Sequence, residues 1–150
     1  AASRAAVNAD TRATELGVLN PNPPRMITNL TKVVEKGTSG GISLVGTLAS
    51  LAGSGLIGLL AVVFAPLPVS PFMGILVTLA GLGGSLFDSL LGATVQAIYQ
   101  CPVCDKETER HPLHTCGAAT TLKRGWPWLD NDWVNFACGA FGVLVALLLV

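Results

Sequence analysis

Residues 42–64 contain neither a charge nor a proline. A helix needs about 20 consecutive apolar residues to cross the hydrocarbon core of a bilayer, so this run suits one crossing. Helix is the form to expect there, because lipid offers no partner for backbone N–H and C=O groups. A second apolar run, 72–99, carries a single charge, Asp88, and a third begins near Trp133 and continues to Val150. Pro66, Pro68 and Pro71 break the chain in a short uncharged turn between the first two runs. Composition agrees: 51% of the residues are apolar and 12% charged, against about 25% charged in an ordinary globular chain, and the mean hydropathy is +0.59. A soluble globular domain is excluded. The nine basic and nine acidic residues cancel, so the chain carries no electrostatic footprint for nucleic acid. The expected fold class is all-α, a multi-pass transmembrane helix bundle with a small Cys/His-rich cytosolic loop.

The expected spans are about 42–64, 72–99 and 133–150, with a polar loop at 100–132. Because the chain starts at Ala1 and stops at Val150 within an apolar run, residues 1–150 read as the C-terminal fragment of one integral membrane domain. Arg25, Lys32 and Lys36 precede the first span, and Lys106, Arg110, Lys123 and Arg124 follow the second. Two crossings put both basic segments on one face, and the positive-inside rule assigns that face to the cytosol or its organellar equivalent. Which membrane this is stays open. Gly46, Ser50, Ser54 and Gly58 recur every four residues along the first span, a small-residue stripe suited to close helix packing.

Asp88 is the sharpest polar signal. A carboxylate in the hydrocarbon region costs at least about 2.5 kcal/mol on insertion scales, so such residues tend to be functional, and a protonated or internally paired structural Asp is the plain alternative. Ser85, Ser89 and Gly92 share its helix face, and Gly81, Gly83 and Gly84 are expected to break the helix just before it. Asp10 lies above Thr14 at helical spacing and Thr11 above Glu15, lining one side with oxygen ligands that suit Mg²⁺ held with substrate phosphates; a solvated helix end is the alternative. The preceding Ala-rich stretch reads as the end of an earlier span. Gly37, Thr38, Ser39, Gly40, Gly41 and Ser43 form a Gly/Ser loop leading into the first span, with Lys32 and Lys36 upstream. A helix start with flexible glycines is a ready anion site, though an ordinary loop and cap reads equally well.

Asp130 and Asp132, with Asn131 and Asn135, stand at the entry of the third span as candidate metal ligands or as an acidic helix cap. Trp126, Trp128 and Trp133 fit an interfacial aromatic belt. Cys101, Cys104, His111, His114 and Cys116 form a compact N/S cluster whose first pair has zinc-knuckle spacing. Cys116 and one histidine, His114 by proximity, complete a structural Zn²⁺ tetrahedron, with unligated thiols as the alternative. Cys138 reads as a small core residue. Together the intramembrane Asp, the acidic clusters and the anion loop favour a Mg²⁺-dependent site for a phosphorylated lipid.

The order Asp10-Thr-x-x-Thr-Glu-Leu-Gly17, Pro24-Arg25, Lys32-Val33, Gly37-Thr-Ser-Gly-Gly-Ile-Ser43, Asp88-Ser-Leu-Leu-Gly-Ala93, Cys101-Pro-x-Cys104 and Asp130-Asn-Asp132-x-x-Asn135 resembles the transmembrane protein 19 family over nearly the whole chain. That family includes the plant phytyl phosphate kinase. The resemblance implies a multi-pass enzyme phosphorylating a prenyl monophosphate to the diphosphate, and a distant likeness to polyprenol kinases that use CTP. By that likeness Asp10 and the 37–43 loop hold nucleotide and metal. In the family pattern Ser39 is often Asn and Thr14 often Ser; both changes keep a polar side chain.

The expected function is therefore a membrane-embedded Mg²⁺-dependent kinase acting on an isoprenoid alcohol phosphate, with CTP or ATP as donor. Its expected catalytic residues are Asp10, Asp88 and Lys32. Arg25 and the 37–43 loop are expected to bind phosphate, and Asp10, Glu15, Asp88, Asp130 and Asp132 to hold Mg²⁺. Nucleotidyl transfer to a lipid phosphate is the alternative within enzymes. A transporter with Asp88 as an intramembrane ion or proton site is the alternative from another class, and a purely structural membrane subunit is the last.

Overall fold

The computed structural model describes residues 1–17, 20–64 and 70–148. Four helices dominate: α1 (Ala2–Gly17), α2 (Leu44–Val63), α3 (Pro71–Thr94) and α4 (Asn131–Leu148). The last three are long and apolar enough to cross a membrane. Leucines, valines and phenylalanines on their outer faces are exposed, as lipid-facing side chains are. The first span starts at Leu44 rather than 42 because Ser43 caps α2, its hydroxyl accepting the Gly46 N–H at 3.1 Å. Pro71 opens α3 at a position where no N–H is required. The expected turn at Pro66 and Pro68 lies outside the described residues.

Two expectations about the second span are corrected. The helix does not break at Gly81, Gly83 and Gly84 but runs through them to Thr94. It also ends there, five residues short of 99, because the backbone beyond is taken into a sheet and its flanking turns. The Ala97 N–H donates to the Leu129 carbonyl at 2.8 Å and the Trp126 N–H to the Val95 carbonyl at 2.9 Å.

The glycines are kept for close approach, not for bending. A Cβ on Gly81 would lie 2.8 Å from the Ala5 Cβ, and one on Gly84 would lie 2.5 Å from the Ala6 Cβ. On α4, a Cβ on Gly142 would meet the Ala6 Cβ at 3.1 Å, and one on Gly139 the Ser3 hydroxyl at 2.9 Å. On α2, a Cβ at Gly46 or Gly53 would press on Ala13 and Asn8, and one at Gly58 on Gly74 of α3. The stripe of Gly46, Ser50, Ser54 and Gly58 is buried as expected. Helix α1 thus threads between the three spans on an alanine face, with Ala5, Ala6 and Ala9 fully buried. Packing of small residues, not apolar area, joins helices of this kind.

The expected all-α class is corrected in one respect: the polar segments carry two small antiparallel sheets. The first joins β1 (Arg25–Met26), β2 (Asn29–Val33) and β3 (Gly41–Ile42) in the order β2-β1-β3. The second joins β4 (Ile98–Cys101), β5 (Lys106–Thr108) and β6 (Thr121–Arg124) in the order β5-β4-β6. Outside the membrane the loop backbone needs partners of its own, and short hairpins supply them.

Candidate functional site

The alanine–glycine contact of α1 with α3 brings Asp10 and Asp88 to one cavity of about 650 Å³. Asp10 and Glu15 reach it from α1, and Ser85, Asp88 and Ser89 from α3. The 36–43 segment and Ser50 of α2 form a second wall, while Glu107, Glu109 and Arg110 stand on the sheet side, and Asn131 and Asn135 come from the start of α4. Both basic loops border the same cavity, which two crossings permit by putting them on one face.

Acidic groups are concentrated in this cavity, where Asp10, Glu15, Asp88, Glu107 and Glu109 stand with Lys36 and Arg110. Burial, and secondarily the Glu109 carboxylate, push the Asp10 carboxyl up to about 6. Asp88 faces the charges of Asp10 and Glu109. Its Oδ2 is buried without a hydrogen-bond partner among the described residues, and so is the Ser50 Oγ. One buried carboxylate oxygen and one buried hydroxyl without partners among the described residues, in a cavity that Asp10 also lines, make a donor set suited to a hard cation.

The glycine loop is held from the far side. The Ser39 hydroxyl donates to Gln96 Oε1 at 2.8 Å, and the Arg124 guanidinium donates to the Gly92 carbonyl at 2.8 Å and the Ser39 carbonyl at 3.4 Å. Arg124 therefore ties β6, the end of α3 and the loop together. Its sequence signal was only that of a basic loop residue. Within the loop the Thr38 and Gly41 N–H groups are used on the Glu35 and Thr38 carbonyls. Gly40 has φ +82° and sits against Ala93, where a Cβ would come within 2.5 Å of the Ala93 backbone. Gly37 has φ +86° with open space around it. Gly40→Ala is expected to lose the about 1–2 kcal/mol of a left-handed L-residue plus the collision with α3. Gly37→Ala should lose only the first. Thermal unfolding of the two variants checks this, and equal losses would refute the packing argument.

Not every expected site residue reaches the cavity. Lys32 lies on the exposed strand β2, and the Arg25 guanidinium donates to the Leu30 carbonyl at 2.6 Å within its own hairpin; neither lines the cavity, whereas Lys36 and Arg110 do. Asp130 and Asp132 stay outside too. Asp130 Oδ1 accepts the N–H groups of Asp132 and Trp133 at 3.1 Å each and so caps α4. Cys101, Cys104, His114 and Cys116 come together as a group able to hold a metal ion, their ligand atoms all within 4.8 Å of one another. Cys138 is fully buried in α4.

A family model described as integral membrane protein DUF92 matches residues 1–143. The chain is 39% identical over 143 residues to Protein PGR of Arabidopsis thaliana, covering 88% of this chain and 47% of that one. It is 46% identical over 92 residues to an uncharacterized membrane protein of Methanocaldococcus jannaschii, covering 61% of this chain and 37% of that one. The chain thus spans less than half the length of each of these relatives. No solved structure matches it.

Proposed function

Since the chain belongs to the DUF92 family of integral membrane proteins, we propose that it forms part of a Mg²⁺-dependent kinase that converts an isoprenoid alcohol phosphate, such as phytyl phosphate, to the diphosphate. The motif resemblance to the transmembrane protein 19 family points to this same family. One observation carries the reading. Asp10 of α1 and Asp88 of α3 share a cavity with the glycine loop ahead of α2, and a buried Asp88 oxygen there has no partner among the described residues.

The chain's own groups fit phosphoryl transfer, which asks for positioning and charge neutralisation more than for covalent catalysis. Asp10 and Asp88 are the residues that would hold Mg²⁺, with Ser50 beside them. The bound ion would neutralise the oxygens of the nucleotide phosphates. Lys36 and Arg110 in the cavity wall face the remaining phosphate charge. An oxygen of the acceptor monophosphate attacks the terminal phosphorus of CTP or ATP. The bond to the bridging oxygen breaks, and nucleoside diphosphate leaves. An ionised phosphate acceptor needs no general base. In this reading the exposed apolar faces of the three spans contact lipid, and the prenyl tail lies in the bilayer with its phosphate in the cavity.

The test uses the whole protein in lipid or detergent with Mg²⁺, labelled CTP or ATP, and phytyl or geranylgeranyl monophosphate. Prenyl diphosphate and nucleoside diphosphate are the expected products. Released pyrophosphate would mean nucleotidyl transfer instead. No turnover across a broad set of prenyl phosphates, with folded protein and either nucleotide, would sink the kinase reading.

A further inference from the structure

The chain returns at the tip of β4 through a turn in which Asp105 takes φ 51°, and Cys101 pairs with Lys106 across the hairpin. Cys101 stands at the start of that turn and Cys104 within it. A second tight turn lies opposite, closed by the Gly117 N–H donating to the His114 carbonyl at 2.9 Å and by Gly117 at φ 83°. It carries His114 and Cys116. We infer that these two turns hold one Zn²⁺ ion through Cys101, Cys104, His114 Nδ1 and Cys116, and that this ion sets the sheet that walls the candidate cavity.

The atom spacings fit. A tetrahedral zinc with Zn–S near 2.3 Å has sulfur–sulfur edges of about 3.8 Å. Cys101 and Cys116 sulfurs are 3.6 Å apart, and His114 Nδ1 is 3.1 Å from the Cys116 sulfur. The thiols are free rather than bridged. Three sulfurs and an imidazole select zinc over the hard cations suited to the carboxylate cavity. The other ring nitrogen of His114 meets the Thr115 hydroxyl at 3.3 Å, the outer partner that a ligating histidine needs to fix its tautomer. His111 is placed otherwise: its ring stacks on Tyr99 at 4.4 Å and its Nδ1 meets the Thr120 hydroxyl at 3.3 Å.

The sheet has reason to need a staple. β5 and β6 are three and four residues long and largely exposed, and a sheet of so little apolar area is marginal alone. Its position matters at the cavity on both edges. β5 leads into Glu109 and Arg110 of the wall, and β6 carries Arg124, which ties down the Ser39 and Gly92 carbonyls. Zinc therefore holds the glycine loop at one remove. The metal assignment and its link to the glycine loop are independent of the kinase reading; only a part for that loop in binding nucleotide rests on it.

The test is metal analysis of the whole purified protein. About one zinc per chain is expected, falling to background in Cys104→Ser and Cys116→Ser and kept in His111→Asn. Where a variant does not fold, cobalt(II) exchanged into the wild type should show the intense visible bands of a tetrahedral thiolate site. Folded wild type with no zinc and no such bands, or with iron in its place, overturns the assignment. Hydrogen exchange then reads the coupling without any activity assay. Stripping zinc with a chelator should speed exchange in both 98–124 and 37–43 while α2, α3 and α4 stay protected. Unchanged exchange in 37–43 overturns the link to the loop and leaves the kinase reading untouched.

Discussion

Asp88→Asn is expected to lower Mg²⁺-dependent turnover by at least about a hundredfold, the scale of losing one preorganised charge at a phosphoryl-transfer site, with no loss of fold stability. Asn keeps the size and shape of the side chain but removes the negative charge. In the structure that carboxyl group is held in α3 facing Asp10 and Glu109, with one oxygen unpartnered among the described residues. Removing it relieves a burial penalty, so thermal unfolding in detergent should stay level or rise. A structural Asp would behave in the opposite way, losing stability and keeping whatever activity survived. Asp130→Asn is the matched comparison. Its carboxylate caps α4, Asn caps nearly as well, and turnover should match wild type. Full activity in Asp88→Asn would remove Asp88 from the site and return the chain to the structural-subunit reading.

The largest effect on stability is expected at Gly84. A Cβ there already meets the Ala6 Cβ at 2.5 Å and the Cys138 carbonyl at 3.1 Å, so Gly84→Leu has to push α1 away from α3 and α4 at once. Overpacking of this kind costs about 1–3 kcal/mol and occasionally more, and a rigid backbone neighbour puts this site at the upper end. Gly83→Leu is the contrast. A Cβ at Gly83 meets only the Phe141 ring, at 3.7 Å, so the change should be neutral or gain up to about 1 kcal/mol of helix propensity. Reversible unfolding of the two variants in mixed micelles measures the difference. Equal losses would mean that helix continuity, not the approach of α1, is why these glycines are there. Displacing α1 also moves Asp10, so Gly84→Leu should lose turnover even under conditions where it folds.

Much of this molecule was legible in the order of its residues. Long charge-free runs admit few structures in lipid, and the three helices long and apolar enough to cross a membrane lie within a few residues of the expected runs, the end of α3 being the exception. The small-residue stripe on α2 and the Cys/His group were visible because spacing alone brings such residues together. The errors have a common source. The Ala-rich stretch before Asp10 was read only as the end of an earlier span, and its packing role was missed: its alanines make α1 the helix around which the others pack, since alanine allows the closest contact. The glycines of α3 were read as breakers because their backbone freedom is a local property, whereas their use here is steric and depends on a partner helix.

The candidate site divides along the same line. The sequence by itself singled out Asp10, Asp88 and the 37–43 loop as unusual for a membrane chain, because burying a carboxylate or a run of glycines has a local energetic signature. Only the tertiary structure decided which groups share a cavity. It admitted Lys36, Arg110 and Asn135 and left out Lys32, Arg25, Asp130 and Asp132. It also gave Arg124 a positioning contact that no spacing announces, since its partners on the loop and on α3 lie 85 and 32 residues away along the chain. Charge type is written in each residue, but the direction a side chain takes is set by the strand or helix that carries it and by what packs behind.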